Sequence, residues 1–307
     1  MSRSGIISYG GQAVLEGVMM RGPKRMAVAV RRPDQTIVVR TTPVEPWHRR
    51  NWFLSLPLIR GFVTLIETMI IGVETLMYSA GQSAGEDEQL SASEMSFTVG
   101  IGAVLAIGIF VVLPTFILGF IKAHLGSVLL ANLAEGLVRV LLLVAYVWGI
   151  SLMKDIQRVL QYHGAEHKTI HAYEHNEPLT VENARKYPKL HPRCGTSFLV
   201  FVVVVASLLH AFFGWPSLLA RIAIRLALLH VVAGVSYEVL KYTGTHDSPW
   251  VNWLTYPGLW LQHFTTREPD DQMLEVAIAA LENAREPEPE VQPTPLMGAI
   301  AATAHEA

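Results

Sequence analysis

Two imidazoles flank a carboxylate in Tyr162-His163-Gly164-Ala165-Glu166-His167-Lys168. On a helix, His163 and His167 share one face, because residues four apart are neighbours there. His-x-x-Glu-His is the inverted zincin spacing, in which both histidines hold a divalent metal, zinc first among them, and the glutamate acts as general base beside an open coordination position. His171 and Glu174 continue the same face, and His191 and Cys194 follow as a second pair of ligand types. The same residues also suit a plain polar helix whose rings bond backbone carbonyls. Cys194 is the single cysteine, which excludes an intrachain disulfide and leaves its thiol for ligation, for reaction or for simple burial.

Helix rise sorts these candidates. At about 1.5 Å per residue, His163 and Glu174 stand about 16 Å apart along the axis and cannot share an ion, whereas His163 and His167, about 6 Å apart, can. The further ligands are then expected from His191 and Cys194, giving a metal set of His163, His167, His191 and Cys194 with Glu166 as the catalytic group. If both His191 and Cys194 join, the tetrahedron is closed and structural. If one joins, a position stays open and Glu166 can work as a base. His171 and Glu174 remain further candidates.

Such a site needs a frame, and the frame is apolar: 51% of the 307 residues are hydrophobic and 16% charged, with a mean hydropathy of +0.33. That composition points to an α-helical integral membrane protein. The first residues are polar and glycine-rich, so no secretory signal peptide is read there. Four apolar runs, at 97–121, 128–153, 197–215 and 218–240, are each long enough for a hydrocarbon core of about 30 Å. They form two expected transmembrane hairpins, 97–153 and 196–240.

In residues 58–80, Arg60, Thr64, Glu67, Glu74 and Tyr78 recur near helical period, the pattern of an amphipathic helix. Its length would permit a span. Lys and Arg, however, are dense in 1–60 and 154–195 and absent from 61–121. Four spans place both basic segments on the cytoplasmic side, while a fifth would separate them. Residues 58–80 are therefore expected to lie in the interface or re-enter, with burial against the bundle as the alternative. The expected location is the bacterial inner membrane, multi-pass, with both termini cytoplasmic. The lipid bilayer and an unidentified substrate or membrane protein are the expected partners; no nucleic acid is expected, and a homo-oligomer stays open.

Residues 1–57 form an expected β-containing cytoplasmic cap, with a hairpin of Met26–Val30 and Thr36–Arg40 about a Pro33-Asp34 turn. The glycine-rich stretch from Gly10 to Pro23 reads as a tight turn, although its glycines would also admit another group close to the backbone. The loop 154–195 is expected to begin as a helix running on from the second span. Within it Thr180 caps a short helix at 181–187, and Pro188 and Pro192 stiffen the return to Cys194. The segment 81–96, with Glu86, Asp87 and Glu88, reads as a linker. In the C-terminal segment 241–286, Asn252 to Phe264 is aromatic-rich and suits an interface, and a last helix starts at Asp270. Residues 287–307 have the composition of a disordered tail.

The apolar runs are not plain anchors. Glu135 and Arg139 lie four apart in one, and Arg221, Arg225, His230 and Glu238 lie in another. Ionisable groups at that depth must face protein or water. They suit either a polar site between helices or local pairs that fix one helix to the next.

Four stretches together, Gly10 to Pro23, His163 to Lys168, His191-Pro192-Arg193-Cys194-Gly195-Thr196-Ser197 and Thr265-Thr266-Arg267-Glu268-Pro269, resemble the YqhQ-like family of bacterial membrane proteins. The likeness runs from about Gly5 to Glu282. The family carries the description of a metal-dependent enzyme without an assigned substrate, and the resemblance implies that Glu16, Arg21, His163, Glu166, His167, His191 and Cys194 belong to one site. The leading expectation is therefore a membrane-embedded metal-dependent hydrolase acting at the cytoplasmic face on a lipid-linked or membrane-peptide substrate. A metal-stabilised scaffold or transport component is the alternative, with a sensor using Cys194 as a redox-responsive ligand behind it.

Overall fold

The computed structural model describes residues 7–83, 92–121, 124–246 and 248–285; the acidic run 86–88 and the expected tail 287–307 fall outside them. Strands β1 (Gly10–Val14), β2 (Gly17–Arg21), β3 (Arg25–Arg31) and β4 (Ile37–Pro43) form an antiparallel meander in chain order. The β3–β4 hairpin is the expected one, and Asp34 closes it by accepting from Thr36 N at 2.9 Å. The stretch from Gly10 to Pro23, read as a tight turn, is instead a second hairpin, paired from Gly10↔Arg21 to Val14↔Gly17. Only Leu15 and Glu16 turn the chain, Glu16 with a positive φ of 51°.

Strand alternation gives this sheet two buried faces. Val18, Met20, Ala27 and Ala29 enter one core, packed with Met273, Leu274, Ala277 and Leu281 of α10 (Asp271–Ala284) and with Tyr162 and Ala165 of α5 (Lys154–Glu174). Val14, Met19, Val28 and Val30 enter another, covered by Ile71 and Tyr78 of α1 (Ile59–Ser83). Burying such a side chain stabilises by about 1.5–3 kcal/mol, and neither end of the chain could bury these residues alone. The C-terminal helix, capped by Asp270 at Met273 N (2.9 Å), thus completes the N-terminal sheet.

Helix α1 is turned against the usual pattern. Its small and polar residues Gly61, Glu67, Gly72, Thr75 and Ser79 face protein, while Met69 and Ile70 stand 57% and 50% exposed. Its first turn also rests on α8 (Leu218–Thr245), where Arg60 pairs with Glu238 at 2.6 Å and Gly234 admits the Leu58 backbone.

Among the described residues, four helical segments are long and apolar enough to cross a membrane: α1, the run Phe97–Ile121, Leu130–Ser151 within α4 (Val128–Ser151), and α8. The run Phe97–Ile121 combines most of α2 (Ala92–Ile107) with α3 (Leu113–Ile121) through one π-helical turn. Membership of this set differs from the expectation. The segment read as 197–215 is α7 (Thr196–Ala211), only 16 residues long, because Gly214 takes φ 60° and turns the chain out before Pro216. Helix α4 also does not run on into the next helix. Met153 adopts ψ 130°, and this break lets α5 swing onto the sheet. Between α5 and α7, Thr180 caps α6 (Val181–Arg185), accepting from Asn183 N at 3.2 Å. Helix α9 (Pro249–Thr265) presses Gly258 against Ser197 of α7 and leaves Trp250, Trp253 and Tyr256 outward.

Candidate metal centre

Helix α5 brings His163 and His167 to the point where the stiff return after Pro188 delivers Cys194 to the start of α7. One ligand atom from each of the three lies within 4.8 Å of the others, and His163 Nε2 is 3.3 Å from Cys194 Sγ. His163 Nδ1 donates to Thr265 O at 2.7 Å and His167 Nδ1 to Lys189 O. A carbonyl can only accept, so each Nδ1 carries a proton, and in the neutral ring that leaves the lone pair on Nε2. His167 Nε2 is buried, and among the described residues it faces the Cys194 thiol without a hydrogen bond of good geometry. Carbonyl bonds therefore account for one nitrogen of each ring and leave the other pointing to a further role. Metal-ligating histidines are held in this way, the second nitrogen fixed by a carbonyl so that the first faces the ion.

Electrostatics agree with the donor set. Burial holds His167 below the ordinary imidazole value, with the thiol pulling the other way. Burial pushes the Cys194 thiol up, but His167 and the Thr196 N–H (3.4 Å) and hydroxyl (3.3 Å) outweigh it, so the thiol sits below its usual value. Donors at a helix start favour a thiolate. Two imidazole nitrogens and one acidified thiol fit a borderline-soft divalent ion such as zinc. Bonds of about 2.0–2.3 Å in a tetrahedron place neighbouring ligands about 3.5 Å apart, close to the observed separation of His163 and Cys194.

Glu166 lies beside this set, 4% exposed, with one oxygen 4.0 Å from His163 Nε2. Burial pushes its carboxyl up to about 7, against the pull of His163 and the Gly11 N–H. Gly11 has to be glycine here, since a Cβ would stand 2.8 Å from the Glu166 carboxylate. Gly164 meets the same demand on the other side of α5. There a Cβ would strike the Arg267 carbonyl, whose segment lies on the helix with Arg267 N donating to Leu160 O at 2.8 Å.

His191 departs from the expected four-ligand set. It groups instead with His171 and Glu174, because both its backbone N and O are held by the buried Gln262 side chain at 2.9 Å each. His191 Nδ1 accepts from Arg193 N at 3.3 Å, so its proton is on Nε2, 3.4 Å from Glu174. The Arg193 guanidinium pairs with Glu174 as well. A carboxylate already neutralised by arginine leaves that second group with little charge for an ion to satisfy.

Glu16 and Arg21 do not join the histidines either. Glu16 pairs with Arg158 and accepts from Tyr162 OH at 3.3 Å; Arg158 lies about 12 Å before Glu166 along α5. Arg21 shares the sheet face of Met19, which α1 covers, and pairs with Glu67 at 2.6 Å. The sheet itself stands between Arg21 and α5. The groups that sequence reasoning missed are the Thr265 and Lys189 carbonyls, the Gly11 amide and Gln262. Three of these are backbone groups, invisible to any search by side-chain type, though Thr265 and Gly11 lie within the stretches that carry the family resemblance.

The family profile described as protein of unknown function (DUF1385) matches residues 56–287. Over 287 residues the chain is 38% identical to the uncharacterized protein YqhQ of Bacillus subtilis (strain 168), covering 88% of this chain and 90% of that protein. No solved structure matches. A profile match across α1 to α10, together with a near full-length relative that shares the order of the chain, means that the protein belongs to the DUF1385 family of YqhQ-like proteins.

Proposed function

We propose that this protein is a membrane-embedded metal-dependent hydrolase that acts at the cytoplasmic face on a lipid-linked or membrane-peptide substrate. The observation that carries the reading is that Cys194 joins His163 and His167 while His191 does not, which leaves three ligands beside a buried carboxylate. Three protein ligands with one position to spare is the pattern of catalytic rather than structural zinc. His163 and His167 offer Nε2, and Cys194 offers its sulfur. Glu166, raised by burial to a value near neutrality and positioned by the Gly11 amide, takes a proton from water and returns it to the leaving group. A divalent ion held there would supply positive charge that polarises a carbonyl or phosphoryl oxygen and acidifies a neighbouring water.

The membrane setting rests on the four apolar segments, the outward apolar side of α1 and the outward indoles of α9. Cys194 just before α7 and the Thr265 carbonyl at the end of α9 meet α5 of the cap at this site, an arrangement that suits a substrate anchored in lipid. The Lys and Arg distribution supports a cap inside the cell. A cysteine placed at Glu177 in a Cys194→Ser background should resist an impermeant thiol reagent in intact cells; external labelling would overturn the orientation.

Glu166→Gln tests the chemistry. The variant should keep its metal, fold and insertion yet fail to complement a deletion strain, with a rate loss on the order of 100- to 10,000-fold once a substrate is in hand. Full complementation by Glu166→Gln, with metal and protein level lost together in His163→Ala, His167→Ala and Cys194→Ser, would make the metal structural. The scaffold or transport reading would then take its place.

A further inference from the structure

At the opposite end of the helix bundle, positive charge exceeds what the described residues neutralise. Glu135 of α4 accepts from Arg139 Nη2 at 2.6 Å and also pairs with Arg225 of α8. Arg139 Nη1 lies 3.1 Å from His210 Nδ1 of α7. A guanidinium only donates, so that nitrogen accepts and His210 carries its proton on Nε2. A third guanidinium, Arg221, stacks on Trp215 at 4.1 Å, and Asn132 fixes the indole at 3.1 Å. The three arginines are buried, at 5%, 8% and 5% exposure for Arg139, Arg221 and Arg225. Among the described residues, three cations against one carboxylate leave two positive charges over.

The spare donors converge. Arg221 Nε and Nη1, Arg225 Nη1 and His210 Nε2 are buried without a hydrogen-bond partner among the described residues, and these three residues line one recess with Phe213, Gly214, Pro216 and Ile224. Helix fixing would be satisfied by the Glu135 pairs alone and gives Arg221 no task. Snorkelling would carry its head group to water, whereas it is held over an indole and buried. Planar guanidiniums with free N–H groups match the paired oxygens of an oxyanion.

We propose that this recess binds a phosphate-type oxyanion, and, on the membrane reading above, that its source is the headgroup of an anionic phospholipid. The site is distinct from the metal centre. His210 lies about 21 Å along α7 from Thr196, which touches Cys194.

The test uses the full chain in phosphatidylcholine nanodiscs doped with phosphatidylglycerol, and in undoped discs titrated with inorganic phosphate. Bound lipid is counted by native mass spectrometry and stability is followed as Tm. One phosphatidylglycerol per chain is expected to be retained with a saturable rise in Tm. Arg221→Gln should weaken it by about tenfold or more, as loss of a charge-assisted contact does, and Arg221→Lys should fall between the two. Arg221 holds no carboxylate partner among the described residues, so the variant should fold, and unchanged metal content at the other end is the control. If phosphate alone raises Tm in the wild type and not in Arg221→Gln, while phosphatidylglycerol behaves as phosphatidylcholine, the site stands with a free anion as its source. If neither anion separates wild type from Arg221→Gln, the proposal is overturned.

Discussion

At the cap, His163, His167 and Glu166 are set by backbone groups, the carbonyls of Thr265 and Lys189 and the amide of Gly11. At the far end of the bundle, Glu135, Arg139 and Arg225 are set by one another. The difference decides what each cluster can do. Backbone partners fix a ring or a carboxylate without supplying a charge, so the second ring nitrogens and the carboxyl remain available to a cation. Mutual ion pairs consume charge of both signs, and the remainder, being positive, suits an anion. Burial is similar in the two clusters; the identity of the hydrogen-bonding partner sets the sign.

The largest effect expected from breaking this comparison is at the cap. His163→Ala or His167→Ala should lower the divalent metal in purified, metal-replete protein from about one ion per chain to below about a tenth, since two imidazoles four residues apart supply most of the donor set. Arg221→Gln should leave that content unchanged. A normal metal load in both histidine variants would leave carbonyl bonding as the whole role of these rings.

A sharper test applies one substitution to both regions. Glu135→Gln removes the only carboxylate that Arg139 and Arg225 share among the described residues and should destabilise by about 3–5 kcal/mol, as breaking a buried pair does. Glu166→Gln should act in the opposite direction in the metal-free protein. The Glu166 carboxyl is raised from 4.5 to about 7 when folded, so the native state binds more protons than the unfolded chain between those values. Its contribution is therefore full below about pH 4.5 and is lost as pH rises through 7, on the order of 3 kcal/mol in all. Glu166→Gln has no such loss, and above pH 7 it should be the more stable metal-free protein; unfolding at pH 5 and pH 8 measures this. Equal slopes in the two proteins would mean that the carboxylate is neutralised by another route. Bound metal should flatten the wild-type slope, because its charge favours the carboxylate.

The smallest expected effect probes how the cap is held together. Gly164→Ala places a methyl group against the Arg267 carbonyl and should cost about 1–3 kcal/mol, as overpacking does. Because the displaced segment carries the Thr265 carbonyl, metal affinity should fall with it. Gly149→Ala on α4, where a Cβ meets nothing within 4 Å, is the control and should be near neutral in both measurements.

Much of this was legible in the chain itself. Period-two alternation at Met26–Val30 and a Pro-Asp turn specify the β3–β4 hairpin; apolar length marks the helices; i,i+4 spacing puts His163 and His167 on one face; and axial rise separates them from Glu174. These are local properties, fixed by backbone geometry within a few residues. Other features depended on segments far apart in sequence. That Gly10 to Pro23 forms a hairpin, with Gly11 against Glu166, required α5 to lie on the sheet. That Cys194 and not His191 joins the histidines followed from Gln262, 71 residues from His191, clamping its backbone. The surplus of arginine at Glu135 needed α4, α7 and α8 side by side. Spacing along a chain fixes which side chains share a face, but it carries no information on which carbonyl, amide or counter-charge will be packed opposite, and in both clusters those partners decide the chemistry.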